Sequence, residues 1–395
     1  MADVDVSSIL ARMTQAPFSP LEPSDRLLVG PGPSNVPESV REVMQRSQLG
    51  HLDPEFWDIC SEVAAMLAQV YRRPSGLSFP LSATGTSGIE AVLCGLVAPG
   101  ETAIVAVAGF FGSRIAEIAR RRGAKVVAIE APLGQAVPNE AILDALARHP
   151  EARLVAVVHA ETSTGVRHPL RELAQALAGS DTLLFADCVT SLAGIELEPE
   201  AWGVDACASC TQKCLGAPPG MSPLSLSERA LERIRARDEP VPLSLDLELV
   251  GRYWFERPAP YHHTAPILHV YALHEALRLV LEEGLEARWQ RHEEVGRYLQ
   301  AELRARGFEL LADEAVQLPQ LSAVRVPEGI DGPEVQRRLA REHGIEVGGG
   351  LGPSAPPIWR IGTMGVNATV EVADRVLEAL DAVVAHRRRL APASR

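Results

Sequence analysis

The sequence predicts an α/β protein. Residues 26–284 read as a large parallel-sheet domain and 285–395 as a smaller α+β domain, after an N-terminal arm over 1–25. Three observations carry this. The length, 395 residues, exceeds one ordinary core. From residue 77 onward, apolar runs of strand length alternate with amphipathic helical patterns that end near glycine, the signature of a parallel sheet covered by helices on both faces. After residue 265 this rhythm gives way to long amphipathic helices and then short strands.

In chain order, Pro17, Pro20 and Pro23 exclude a helix in the arm. "LLVGPGPSNVP" (27–37) reads as a short strand entering a Gly/Pro turn. "LSFPLSA", "TAIVAVA" (102–108), "KVVAIE" (125–130), "RLVAVVH" (153–159), "TLLFAD" (182–187) and "DACAS" (205–209) read as buried strands. "SRIAEIARRRG" and "PLRELAQALAG" are helical patterns between them. "ILHVYALHEALRLVLEEG" predicts a helix that ends at Gly284 and bridges the domains, followed by "LEARWQRHEEVGRYLQAELRARG". The strands "LSAVRV" and "IWRIG" and the helices "GPEVQRRLAREHG" and "VEVADRVLEALDAVVAH" complete the smaller domain.

The net charge of -13 argues against a general binder of nucleic acid or anionic membrane. No apolar run approaches the ~18 residues needed to cross a bilayer. The N-terminus lacks a basic region ahead of an apolar one, so a cytoplasmic protein with six free thiols is expected.

Ligands of parallel sheets gather beyond the C-terminal ends of the strands. After "LSFPLSA" comes Thr84-Gly85-Thr86-Ser87-Gly88, in which Ser87 and Glu90 have capping-box spacing. Such a turn is either a plain helix cap or a phosphate site. Asp187 closes the apolar "TLLFAD"; it either caps the next turn or holds a cationic ring nitrogen. Lys213 is one of only two lysines, the other being Lys125, and has no acidic residue within seven positions. It is either a solvated loop lysine or an amine that loses its proton on desolvation and attacks a carbonyl. A phosphate cradle, an acid for a ring nitrogen and a reactive lysine, on successive strand ends, together describe a site for pyridoxal 5'-phosphate.

The motifs "LLVGPGPSNVP", "HAETSTGV" (159–166), "ADCVTSLAG" (186–194), "TQKCLGAPPG" (211–220), "YHHTAP" (261–266), "GGLGPS" (349–354) and "RIG" (360–362) resemble those of the class V, fold-type I aminotransferases, specifically the alanine–glyoxylate / serine–pyruvate aminotransferase family. The resemblance runs over 26–385. It implies a mostly parallel seven-stranded α/β/α domain, a homodimer with sites at the subunit interface, and a small amino acid and a 2-oxo acid as substrates. Lys213 would bond the cofactor aldehyde and Asp187 would pair with the pyridinium. Val189 and Phe111 would lie against the ring. Thr84, Gly85, Thr86 and Gln212 would hold the phosphate, with Tyr261 and Thr264 reaching the neighbouring subunit's. Thr162 would contact cofactor or substrate, Gly32 would line the substrate site, and Arg360 would clamp the substrate carboxylate. Phe111, Thr86 and Cys210 stand where relatives often carry tryptophan, histidine and glycine.

Two further clusters invite a metal reading that the sequence does not favour. Cys207 and Cys210 are an odd number apart on an expected strand and so would face opposite sides. His262-His263 lacks a spaced third ligand. His51 receives no role. The rivals are serine–glyoxylate or ureidoglycine–glyoxylate transamination and, from other classes, a non-catalytic small-molecule binder and a structural metal protein.

Overall fold

The computed structural model describes residues 20–353 and 355–390. Most of the expected arm, together with Ser354 of the "GGLGPS" motif, lies outside the described residues.

The main sheet has seven strands. They are β1 (Leu77–Leu81), β2 (Thr102–Val107), β3 (Lys125–Glu130), β4 (Leu154–Val158), β5 (Leu183–Asp187), β6 (Ala206–Ala208) and β7 (Ser222–Leu226). Their spatial order is β1-β7-β6-β5-β4-β2-β3. The five strands from β6 to β3 are mutually parallel, while β7 runs antiparallel to both neighbours. β2, β4 and β5 are buried along their whole length, which is why they read as unbroken apolar runs. β7 escaped the sequence reading. Its "SPLSL" carries serines and a proline, yet every residue is buried. Pro223 lies opposite Pro80 of β1, beyond the end of the short β6, so its missing N–H interrupts little of the ladder.

Seven of the helices matter for the site and its support: α1 (Pro54–Val70), α2 (Gly85–Leu96), α3 (Phe110–Arg121), α4 (Ile267–Glu283), α5 (Leu285–Ala305), α6 (Gly332–His343) and α7 (Val370–Leu390). α4 ends at Gly284, whose φ of 84° suits glycine, and α5 begins at once. A small antiparallel sheet follows, built from β8 (Leu321–Arg325), β9 (Gly348–Gly349) and β10 (Ile358–Gly362) in the order β8-β10-β9.

One apolar core fills the space around the main sheet, with Phe185 of β5 fully buried at its centre. A second joins α5, α6 and α7 to the small sheet around Trp359. Chain crossings tie the two together. Leu27–Leu28 pairs in parallel with Ile345–Glu346, and Val29 packs in the second core. Asn35 accepts from the Leu28 N–H, while Asn367 donates to the Leu28 carbonyl and to Asn35, each at 2.8 Å. These bonds fix the Gly30–Ser34 turn between the two bodies. No helix among the described residues is long and apolar enough to cross a membrane.

Gly296 lets α5 approach the Pro319 backbone: a Cβ there would fall 2.5 Å from the Pro319 carbonyl carbon. Gly296→Ala is therefore expected to cost about 1–3 kcal/mol. The check is the urea unfolding midpoint, and an unchanged midpoint would contradict so close an approach.

Candidate functional site

Asp187 ends β5 and is 2% exposed. Its one side-chain hydrogen bond among the described residues comes from the Val189 N–H to Oδ1, at 2.9 Å. The capping role and the buried-acid role therefore coexist. Burial pushes its carboxyl up to about 7. The Val189 N–H opposes that rise, Glu161 adds to it, and Lys213 opposes it more weakly. No cation pairs directly with it among the described residues.

Lys213 lies in the turn between β6 and β7, and the turn is held from both bodies. Ser34 donates from its N–H to the Gln212 carbonyl and from its hydroxyl to the Lys213 carbonyl, both at 2.9 Å. Arg288, at the start of α5, donates to the carbonyls of Cys214 and Ala193 at 2.5 and 3.2 Å. The Lys213 amine donates to the Pro31 carbonyl. Burial lowers its pKa, which enlarges the neutral, nucleophilic fraction. Gly32 beside it has a φ of 105°, and a Cβ there would fall 2.5 Å from Lys213 Cδ, so glycine keeps this space open.

The Thr84–Gly88 turn differs from its expected form. Ser87 and Glu90 do not make a capping box. Thr84 is the N-cap of α2, its hydroxyl accepting from the Ser87 N–H at 3.3 Å, and the helix begins at Gly85. Threonine caps as serine does, and the small Gly85 admits the tight start. A Cβ at Gly85 would sit 3.0 Å from Cys210 Cβ and 3.3 Å from Val189 Cγ2, so the turn nests against both strand ends. The first N–H groups of α2, on Gly85 and Thr86, have no protein acceptor among the described residues.

Arg360 lies on β10, is 7% exposed and forms no ion pair among the described residues. Nε donates to the Gly349 carbonyl at 2.6 Å and a terminal nitrogen to the Thr162 carbonyl at 3.4 Å. Burial lowers its pKa, and the charge of Glu161 opposes that. A Cβ at Gly348 would lie against Pro31 and 3.5 Å from Arg360, so one wall connects this guanidinium to the carbonyl that holds Lys213.

Phe111 and Val189 are partly exposed beside this pocket, and the buried Gln212 Oε1 has no partner among the described residues. Tyr261, at 66% exposure, and Thr264 stand out from the chain rather than entering its own pocket. The adjacent His262 and His263 bond each other at 2.8 Å and reach Leu243 and Ser82. Cys210 lies past the end of β6, so the strand-alternation argument does not reach it; its thiol faces the Val189 carbonyl. Sequence reasoning missed Glu161, Ser163, Ser34 and Arg288. Glu161 alone carried a signal, as an acid inside an otherwise apolar and hydroxylated strand end.

The family model described as "Aminotransferase class-V" matches residues 30–370. The chain belongs to the class-V aminotransferases. The (S)-ureidoglycine–glyoxylate transaminase of Bacillus subtilis is 36% identical over 378 residues, spanning 91% of this chain and 90% of that protein. The alanine–glyoxylate aminotransferase of Drosophila melanogaster is 36% identical over 370 residues, spanning 92% and 94%. A solved alanine–glyoxylate aminotransferase from a Nostoc species is 44% identical and superposes with a TM-score of 0.90, covering 93% of this chain and 98% of that one. This class-V chain is thus a transaminase with a fold-type I architecture, acting on an amino acid and a 2-oxo acid.

Membership implies pyridoxal phosphate, and the residues fit it. Asp187 is a buried acid lacking a cation among the described residues, and the free N–H groups of α2 suit a phosphate.

The raised Asp187 pKa predicts a pH dependence of the cofactor-free protein. From the ordinary carboxyl range up to about 7, the native state keeps a proton that the unfolded chain has released. Stability therefore falls as pH rises through this window. Cofactor-free Asp187→Asn should lack that slope and exceed the parent at pH 8 by on the order of 2–4 kcal/mol. Parallel slopes in denaturant titrations at pH 5 and pH 8 would refute this.

Proposed function

We propose that this chain moves the amino group of a small amino acid, alanine or serine, to a 2-oxo acid, with glyoxylate as the main acceptor and pyridoxal 5'-phosphate as cofactor. The observation that carries the reading is Arg360. It is a buried guanidinium with no carboxylate partner among the described residues, on the same wall as the Lys213 amine. A buried, unpaired arginine is costly unless an anion arrives, and its planar fork suits a carboxylate. The proximity of glyoxylate-using relatives supports the acceptor. Ureidoglycine is the alternative donor, favoured by the similarity to the Bacillus subtilis transaminase.

When bound, the cofactor supplies an aldehyde that captures amines and a ring that draws electrons from the amine-bearing carbon. In this reading Asp187 holds a proton on the ring nitrogen, and a cation there would bring its raised pKa back down. Lys213, partly neutral because it is desolvated, would be the amine that holds the cofactor aldehyde and, when free, the base placed to take the substrate α-proton. Thr84, Gly85, Thr86 and Gln212 hold the phosphate at the positive end of α2. Phe111 and Val189 would pack against the ring. Arg360 fixes the substrate carboxylate, aligning the α-proton with the lysine, while Gly32 leaves the small substrate room and Thr162 braces Arg360.

Exposed Tyr261 and Thr264 suit a role at a second subunit's phosphate, so we propose a homodimer. We propose also that 26–284 and 285–395 act as large and small domains, that the protein works in the cytoplasm, and that it binds neither nucleic acid nor membrane.

Lys213→Ala should lower turnover by about 10⁴-fold or more. Arg360→Ala should lower kcat/KM for amino acids by about 10²-fold or more, mainly through KM. Half-reactions followed by the colour of the bound cofactor, with alanine, serine and ureidoglycine as donors, test both and rank the donors. Residual full-rate turnover in Lys213→Ala, or an unchanged KM in Arg360→Ala, would overturn the corresponding assignment.

A further inference from the structure

We propose that Glu161 is a positioning residue of this site, a buried carboxylate that caps α3 from outside and so holds Phe111 and Arg360 in one fixed frame. The inference rests on the roles proposed above for those two residues.

The first turn of any helix leaves N–H groups without partners. The N-cap of α3 is Gly109, which has no side chain with which to cap the helix. The acceptors come instead from a turn fifty residues further on. Glu161 Oε2 accepts from the N–H groups of Phe111 and Gly112, each at 3.1 Å. Its Oε1 accepts from the Ser163 N–H at 3.1 Å and from the Ser163 hydroxyl at 2.6 Å. Because that hydroxyl donates to Glu161, its lone pair is free to accept from the Phe110 N–H at 2.9 Å. Three successive N–H groups of α3 thus end on residues 161–163. Thr164 adds a bond from its hydroxyl to the Ala108 carbonyl at 3.1 Å.

Gly109 is part of the device. A Cβ there would fall 2.7 Å from Glu161 Cδ, so only glycine admits the carboxylate. Glu161 is fully buried and forms no ion pair among the described residues. A buried anion is an expensive cap. A serine or aspartate at 109 would cap the helix locally at no such cost. What the distant cap adds is connection. The same 161–163 turn presents the Thr162 carbonyl to Arg360. One carboxylate thereby holds both the backbone that aims Phe111 and the strand end that braces the guanidinium.

The test uses Glu161→Gln and Ser163→Ala as holoenzymes, with Arg360→Ala as reference. Glu161→Gln keeps the shape but turns an amide NH2 toward N–H groups. It should weaken cofactor binding by about tenfold. It should also reduce the circular dichroism of the bound chromophore, which reports how the ring is held, and raise the KM for amino acids more than for a simple alkylamine. Ser163→Ala, which removes only the hydroxyl link, should move the same readouts in the same direction by less. A folded Glu161→Gln with parental cofactor affinity, chromophore dichroism and KM, and only a lower Tm, would make Glu161 a structural cap and end the proposal. If Glu161→Gln does not fold, Ser163→Ala decides by the same readouts. Should Arg360→Ala leave the amino-acid KM unchanged, the carboxylate-clamp reading fails, while chromophore dichroism and cofactor affinity still judge Glu161.

Discussion

The site depends on holding ionisable groups away from water without letting them neutralise one another. Asp187, Glu161, Lys213 and Arg360 lie close enough to act on each other's charge, yet none is joined to another by a direct ion pair. Each is instead held by backbone: Asp187 by the Val189 N–H, Glu161 by the first turn of α3, Lys213 by the Pro31 carbonyl, and Arg360 by the Gly349 and Thr162 carbonyls. Direct pairing would be the cheaper arrangement for the protein alone. Backbone contacts leave the charges available to a ligand that carries a cation at one end and a carboxylate at the other. Such polarity is stored at a cost in stability, which the large apolar core around β5 must outweigh.

The two bodies of the chain meet at this pocket. Asp187, the Thr84–Gly88 turn and the lysine turn belong to the main sheet. Arg360 and Gly349 belong to the small one. The Gly30–Ser34 turn passes between them, with Pro31 bonded to Lys213, Ser34 bonded to the lysine turn, and Gly30 packed against Gly348. Arg288 reaches back from α5 to the same lysine turn. A relative shift of the bodies would therefore change the distance between the Lys213 amine and the Arg360 guanidinium. These short polar crossings make the pocket stiff where a loose hinge would blur the chemistry.

Much of this was open to reading from the chain itself. Unbroken apolar runs such as "LVAVV" announce strands covered on both faces, because such strands have no solvent side to mark. A lysine kept among arginines and small residues, and a carboxylate closing an apolar strand, stand out because burial makes both costly. Other features left no trace in the local pattern. β7 is disguised by serines and a proline that are satisfied only once β1 and β6 flank it. Thr84 caps α2 although Ser87 and Glu90 have the better spacing, because β1 delivers the chain to the helix at Thr84.

The sequence by itself determined the period of most elements, the class of fold and the choice of Lys213 and Asp187 as candidates, since these follow from side-chain type and spacing along one chain. Only the tertiary structure decided which orphan N–H meets which carboxylate. Glu161 and α3, Ser34 and the lysine turn, and Arg360 and Thr162 are separated by tens to hundreds of residues. Hydrogen bonds act over about 3 Å, so their partners are fixed by where the folded strands bring the chain and not by anything written beside them in the sequence.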